Sequence, residues 1–309
     1  MPPFDAVLII AFGGPTCLEE VPAFVTNVLG GRQLPTDRMA EIVERYRLIG
    51  GRSPLNEIVF RQARELAGWL RDAGLPLPVY VGMRDWSPPL TDTLRRMSEE
   101  GVHQAIGLIL APHQAEASWG RYQAAVTAAQ AQIGVLAPQV AYTSAWFDHP
   151  AFIEAAADRL RQAIAQIPEE RRGAARVLVT AHSIPVAMAE RAPYARQVAR
   201  SAELVAKALG DVSWSVAYQS RSQFATQPWL EPDLYDVIRA EAARGVRDIV
   251  VAPIGFVCDH LEVLYDLDVV AQTIASDVGV HLVRAMTVAD HPAFIRMMGE
   301  LAVDVKRGG

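Results

Sequence analysis

The sequence predicts an α/β protein made of two Rossmann-like domains, each a parallel sheet flanked by helices, related by internal duplication. Three observations carry that prediction. Eight short β-rich runs alternate with longer amphipathic stretches, the pattern of parallel strands joined by crossover helices. The hexapeptide "DHPAFI" stands at 148–153 and again at 290–295, each time after a strand run and at the head of a helical pattern. "LAPH" (110–113) and "VAPI" (251–254) repeat at nearly the same offset, and a fixed offset marks duplicated units. Eight strands can also close a single barrel, an architecture against which the repeat argues. Asp–His–Pro is in addition a plain helix-capping signal, so shared capping chemistry is a second source of the echo.

The elements follow in order. "AVLIIAF" (6–12) is an unbroken apolar run, as a strand buried on both faces requires. "VYVGM" (79–83), "AIGLIL" (105–110) and "QVAYTS" (139–144) complete the first half. The second half repeats the series with "RVLVTA" (176–181), "WSVAYQS" (214–220), "DIVVAP" (248–253) and "VHLVRA" (280–285). Helical periodicity fills the gaps, as in "IVFRQARELAGWLRDAG" and "FIEAAADRLRQAIAQI". The expected boundary lies at 147/148, giving an N-terminal domain over 1–147 and a C-terminal domain over 148–309. A last helix over about 291–306 is expected to pack back on the first domain. The halves differ in one place: 64 positions separate Pro15 from Val79, and only 31 separate Pro185 from Val216. The first half therefore carries an insertion, at about 16–58. It follows a strand's carboxyl end, where open α/β sheets bind ligands, so it is a candidate lip.

Composition narrows the function. The chain has 309 residues, 51% hydrophobic and 21% charged, enough to bury a large core. A formal net charge of −6 supplies no basic field for nucleic acid. Cys17 and Cys258 are the only cysteines, which argues against a disulfide framework, a zinc ribbon or a four-cysteine iron–sulfur site. The start lacks a basic n-region, and no apolar run reaches the roughly 18 residues a membrane helix needs. The expectation is a soluble cytoplasmic monomer with no transmembrane segment.

The chemistry concentrates in "GFVCDHLEVLYDLD" (255–268), directly after the "DIVVAP" strand. A helix starting near Asp259 would stack Glu262 and Asp266 one turn apart, and like charges at that spacing repel. No Lys or Arg within the stretch offsets them. Two readings fit: a capped helix with a solvated acidic face, or carboxylates arranged to receive a cation. "TAHSIP" (180–185) puts His182 at the matching edge of the preceding strand, as a metal ligand or proton acceptor or as a core histidine bonded to a neighbouring carbonyl. "GGRSPL" (50–55) supplies exposed amides and Ser53. His113 reads as a strand-end core residue. Tyr218 and Trp229 are candidates for an aromatic wall, with core packing the alternative for Trp229. "FGGP" is not G-x-G-x-x-G, and neither G-K-[ST] nor G-x-S-x-G occurs, which removes dinucleotide, P-loop and acyl-transfer chemistry.

Seven segments in order, "FGGP", "YRLIGGRSPL", "VGMRDWSP", "LAPH", "AHSIP", "YQSR…PWLEPDL" and "GFVCDHLEVLYDLD", resemble ferrochelatase, the family that inserts ferrous iron into a porphyrin. The resemblance implies chelatase-type domains with a porphyrin cleft between them, and the insertion would match the family's porphyrin-binding lip. It implies His182 and Glu262 as catalytic residues, and His182, Glu262 and Asp266 as the residues that meet the metal. Candidate porphyrin contacts are Phe12, Tyr122 and Tyr218, with Arg32, Arg47, Arg52 and Ser53 for the propionates by their place in or beside the insertion. "APH" and "DHLEVLYD" are most similar to the bacterial branch that metallates coproporphyrin III, after which a heme-handling decarboxylase would act. Porphyrin and Fe²⁺ are the expected partners, with Fe²⁺ as substrate, no permanently bound cofactor and no iron–sulfur cluster. Three positions depart from the pattern: Phe12 stands where the branch often has Tyr, Gln114–Ala115 where an aromatic and Ser are usual, and Val270 where a third carboxylate extends the acidic row. Two other readings stay open: a chelatase loading cobalt or nickel into a different tetrapyrrole, and a two-lobed heme or metallophore carrier.

Overall fold

The computed structural model describes residues 4–210, 212–222 and 226–308, the side chains of 307 and 308 excepted. Residues 223–225, inside the "YQSRSQFATQPWL" segment, lie outside the described residues. The chain divides into two compact units. The first contains the residues up to Ala111, then Ala117–Ala145 and the segment from Ala289; the second contains Pro112–Glu116 and Trp146–Val288.

Each unit has a four-stranded parallel sheet at its centre. In the first, β1 (Ala6–Ala11), β2 (Val79–Met83), β3 (Gln104–Ile109) and β4 (Gln139–Tyr142) lie in the order β2-β1-β3-β4. In the second, β5 (Arg176–His182), β6 (Ser213–Gln219), β7 (Asp248–Ala252) and β8 (His281–Arg284) lie in the order β6-β5-β7-β8. The two orders are the same permutation, the structural counterpart of the sequence repeat. The winding reverses between β1 and β3, and again between β5 and β7. In doubly wound sheets such a reversal opens a crevice at the carboxyl ends of the two strands.

The strands form where apolar side chains run without a break, because helices cover both sheet faces. All six residues of β1 are buried, and Ile9 lies between Val81 of β2 and Leu108 of β3. In the second sheet Val179 is flanked by Val216 and Ala252. The insertion after β1 folds into a 3₁₀ turn and the helices Val21–Val28 and Thr36–Leu48, before the long helix Leu55–Asp72. The equivalent stretch after β5 holds only the short helix Val186–Ala189.

The last helix, Pro292–Gly308, belongs to the first unit. It packs across Leu55–Asp72 so closely that a Cβ on Gly299 would lie 2.1 Å from the Trp69 ring. Nearby, Gln62 donates to the Ala289 carbonyl at 2.7 Å and Arg61 pairs with Asp290 at 2.8 Å. Among the described residues, no helix is long and apolar enough to cross a membrane.

Candidate active site

His182 is the last residue of β5 and Glu262 follows β7, so both stand at the switch point of the second unit. Gly255 sets how close they come. A Cβ there would lie 2.7 Å from the Ala181 Cα, so only glycine lets the chain leaving β7 run against β5. Its N–H donates to the Thr180 carbonyl at 3.0 Å. The backbone then turns at His260, extended at φ −159°, and the first helical turn, Leu261–Val263, contains Glu262. A buried relay fixes the other side: Thr180 Oγ1 donates to Gln219 Oε1 at 2.8 Å, and Gln219 Nε2 donates to the Glu262 carbonyl at 2.6 Å.

The result is a carboxylate between two imidazoles. Glu262 Oε1 lies 3.5 Å from His182 Nε2, and Oε2 lies 3.7 Å from His260 Nε2. His182 Nδ1 contacts the Ser183 carbonyl, so both nitrogens of the ring face acceptors. That environment favours the doubly protonated imidazolium. Burial opposes the charge on His182, but Glu262, the Ser183 carbonyl and Asp266 outweigh it and hold the pKa above the ordinary histidine value. Burial likewise opposes the charge on Glu262, and His182 then His260 outweigh it and hold the carboxylate below its usual range. The side chains keep 31% and 42% exposure, so solvent screens the pair. His260 goes the other way, lowered chiefly by burial, and is neutral at neutral pH. Its buried Nδ1 has no hydrogen-bond partner among the described residues, and its ring packs edge-on against Phe256.

A histidine NMR titration is therefore expected to place the His182 midpoint above 6.5. The Glu262→Gln variant should bring it down by about one unit or more, since the leading cause of the rise is removed and burial remains. Because the folded value exceeds the unfolded one, the proton on His182 stabilises the fold below the unfolded histidine pKa and loses its contribution as pH rises through the folded midpoint, while the depressed Glu262 loses its own contribution as pH falls through the carboxylate range. A wild-type midpoint at or below 6.5 would show that Glu262 does not hold the proton on the ring.

Asp266 lies on a different structure from the one the local sequence suggests. Residues Leu264–Ala271 form a π-helix, whose bonds run i→i+5. Stacking at i, i+4 therefore does not hold there, and Val270 is not one α-helical turn beyond Asp266. The Asp266 carboxylate accepts from the Ser220 hydroxyl. Among the described residues, no three His, Cys, Asp or Glu side chains converge into a group that could hold a metal. His182 and Glu262 come into direct contact, and Asp266 is near enough for its charge to favour the proton on His182.

The remaining candidates divide. Tyr218 is 7% exposed and packs in a core cluster with Ala181, Ile184, Tyr194 and Val198, and burial pushes its phenol up. It is core, not an aromatic wall. Trp229 is the partly exposed one, its ring centroid 6.5 Å from that of His182 and tilted by 36°. Tyr218 is buried beside Tyr194 and Val198 of the helix Tyr194–Leu209, while Trp229, for which core packing is the alternative, comes from irregular chain and stays partly exposed. His113 is a core residue as expected: its Nε2 lies 3.0 Å from Ser201 Oγ, and burial takes its pKa down to about 3.

In the first unit, Phe12 follows β1 directly and Tyr122 is buried. Sequence reasoning passed over the residue that joins them. The Arg84 guanidinium sits 4.8 Å from the centroid of Phe12 and 5.0 Å from that of Tyr122, and pairs with Asp85 at 2.7 Å. Arg84, Asp85 and Trp86 line a cavity of about 420 Å³ together with Asn27, Gly30 and Gly31. The signals for Arg84 were its place at the carboxyl end of β2 and within the "VGMRDWSP" segment. Ser53 is buried against Gly14, and its Oγ accepts from Leu55 N at 3.4 Å, so it serves the turn into a helix. Arg32, Arg47 and Arg52 are exposed and bonded locally, to the Leu29 carbonyl, Glu44 and Glu57.

Comparison with known proteins follows the same lines. The ferrochelatase family model matches residues 4–305. A ferrochelatase of Rhodopirellula baltica is 40% identical over 303 residues, covering 96% of this chain and 85% of its own. A coproporphyrin III ferrochelatase of Mycolicibacterium smegmatis is 38% identical, covering 99% and 91%. Among solved structures, SirB from Bacillus subtilis with Fe³⁺ superposes with a TM-score of 0.60 over 97% of this chain and 96% of its own. At 12% identity that likeness is one of fold. Family model and relatives span essentially the whole sequence, and the chain belongs to the ferrochelatase family.

Proposed function

We propose that this enzyme inserts ferrous iron into a porphyrin in heme biosynthesis, with coproporphyrin III as the porphyrin. The observation that carries the reading is the His182–Glu262 pair at the second unit's switch point, in a chain that is ferrochelatase-like throughout. Insertion exchanges one Fe²⁺ for the two pyrrole N–H protons, so the site needs an attractor for the cation and acceptors for the protons. Glu262, ionised and partly exposed, attracts and helps strip the dication. The same event readies the base: positive charge arriving at Glu262 cancels the field that keeps His182 protonated, so its proton passes to water at the partly exposed ring and Nε2 becomes free to take one from a pyrrole. His260, neutral and against the other oxygen of Glu262, is the acceptor within reach of the second proton.

Coproporphyrin III has four propionates where protoporphyrin IX has two. The relative from M. smegmatis bears the coproporphyrin III name, and Arg84 supplies a positioned cation on the wall of the first unit's cavity. Arg32, Arg47, Arg52 and Ser53 remain candidates for the other carboxylates, the arginines by exchanging their local partners for a propionate. Charge-assisted bonds of roughly 1.5–3 kcal/mol each give an expected preference for coproporphyrin III of about tenfold or more in kcat/KM. Equal or reversed preference would remove that substrate assignment and leave the family activity. Its product still carries four propionates, so a later decarboxylating enzyme must act on it before heme b is reached.

The test is anaerobic mixing of the protein with Fe²⁺ and each porphyrin, followed by absorbance. Turnover well beyond one equivalent supports the enzyme. A reaction that stops at one equivalent would show a carrier instead.

A further inference from the structure

The segment from Asp259 to Asp268 carries four carboxylates and no cation, yet it holds an irregular path: an extended residue, one α-turn, then a π-helix. The counterion comes from elsewhere in the chain. Arg284 closes β8, and its side chain is 13% exposed. Its Nε donates to Asp268 Oδ1 at 2.5 Å and its Nη2 to Asp268 Oδ2 at 2.9 Å, a two-pronged pair. On the other flank, Nη1 and Nη2 donate to the two oxygens of Asp259 at 3.3 and 3.4 Å. The last N–H reaches the Ala285 carbonyl at 3.4 Å. All the donors of the guanidinium thus have acceptors, and Thr287 Oγ1 adds a bond to Asp259 at 2.9 Å.

These contacts have a definite place relative to the chemistry. Asp259 lies three residues before Glu262, and Asp268 two residues after Asp266. One rigid fork therefore clamps both ends of the segment that carries Glu262 to the switch point. We infer that Arg284 is a positioning residue for metal insertion, a bracket that holds the Asp259–Asp268 segment in the path placing Glu262 against His182. The inference rests on the function proposed above for that pair. A lysine cannot replace the bracket, since a point-like ammonium cannot span two carboxylates with paired bonds. Between the two clamped ends, Ser220 donates to Asp266 and the two imidazoles flank Glu262.

The experiment uses Arg284→Lys, Arg284→Met and Asp268→Asn in the full chain, with two readouts. The first is backbone hydrogen exchange over 259–271, which requires no knowledge of the reaction. Exchange there is expected to quicken by about tenfold or more while the amides of β5 and β7 stay protected. The second is insertion kinetics per folded molecule. In both Arg284 variants kcat should fall by about tenfold or more, since small misplacements of reacting groups carry penalties of that order. Porphyrin affinity, read by fluorescence, should stay within about twofold of the wild type, because the bracket touches no proposed porphyrin contact. Unchanged exchange in this segment would overturn the bracket. Faster exchange with wild-type kcat would reduce Arg284 to a stability role and overturn the positioning claim. A wild type that inserts no iron sinks the proposed function instead, while the exchange arm still tests the bracket. Asp268→Asn preserves shape and removes only one prong; it decides the matter if the Arg284 variants do not fold.

Discussion

Replacing His182 by alanine is expected to lower iron insertion by about a hundredfold or more, the usual cost of losing an acid–base group, with porphyrin binding retained. The expectation follows from where the ring stands. Its Nε2 is the one basic nitrogen that both faces Glu262 and sits at the carboxyl end of a central strand, and its Nδ1 is occupied by the Ser183 carbonyl. Alanine leaves β5 intact, because the strand ends at this residue and its buried neighbours Ala181 and Ser183 are unchanged. The loss should therefore fall on kcat. Stopped-flow metallation under anaerobic conditions, with porphyrin affinity measured in parallel, provides the check. Wild-type turnover in His182→Ala would remove His182 from the mechanism.

Glu262→Gln is the second large effect, and its sign separates two accounts of the rate. The substitution keeps shape and hydrogen bonding but removes the charge that attracts the dication and holds the proton on His182. If release of that proton limited turnover, the variant would be faster than wild type at neutral pH. We expect the opposite. Losing a charge-assisted contact of roughly 1.5–3 kcal/mol to the cation predicts a drop of about ten- to a hundredfold on the pH-independent plateau. The rising limb of the pH–rate profile should move to lower pH in the same variant, because burial is left as the main influence on His182. A profile that shifts with no drop in rate would show that Glu262 only tunes the histidine and does not handle the metal.

Much of this was legible in the order of residues. The eight strands appear at the apolar runs, within one or two residues of the expected bounds. The reason is that parallel strands covered on both faces must be continuously apolar, a pattern local enough to read. The duplication was legible too, and the shared strand permutation is its consequence. His182 and Glu262 were legible because strand carboxyl ends in doubly wound sheets are where chemistry collects.

Other features depend on groups far apart in the chain. Tyr218 is buried by side chains of the helix Tyr194–Leu209, a contact between elements that periodicity on a short strand does not specify. The π-helix is a choice of backbone hydrogen-bond register, which side-chain spacing leaves open. His260 shared its segment with Glu262 in plain view, but only the extended backbone at that residue turns its ring onto the carboxylate. Arg84 acquires its significance from two aromatic rings contributed by separate elements. The acidic stretch is the clearest instance. By itself it is a run of carboxylates with no cation, electrostatically unfavourable as a plain helix. Its counterion, Arg284, stands 16 residues beyond Asp268 on the strand that the sheet order sets beside β7. Coulomb attraction acts through space and not along the chain, so the fold had to form before that pairing existed.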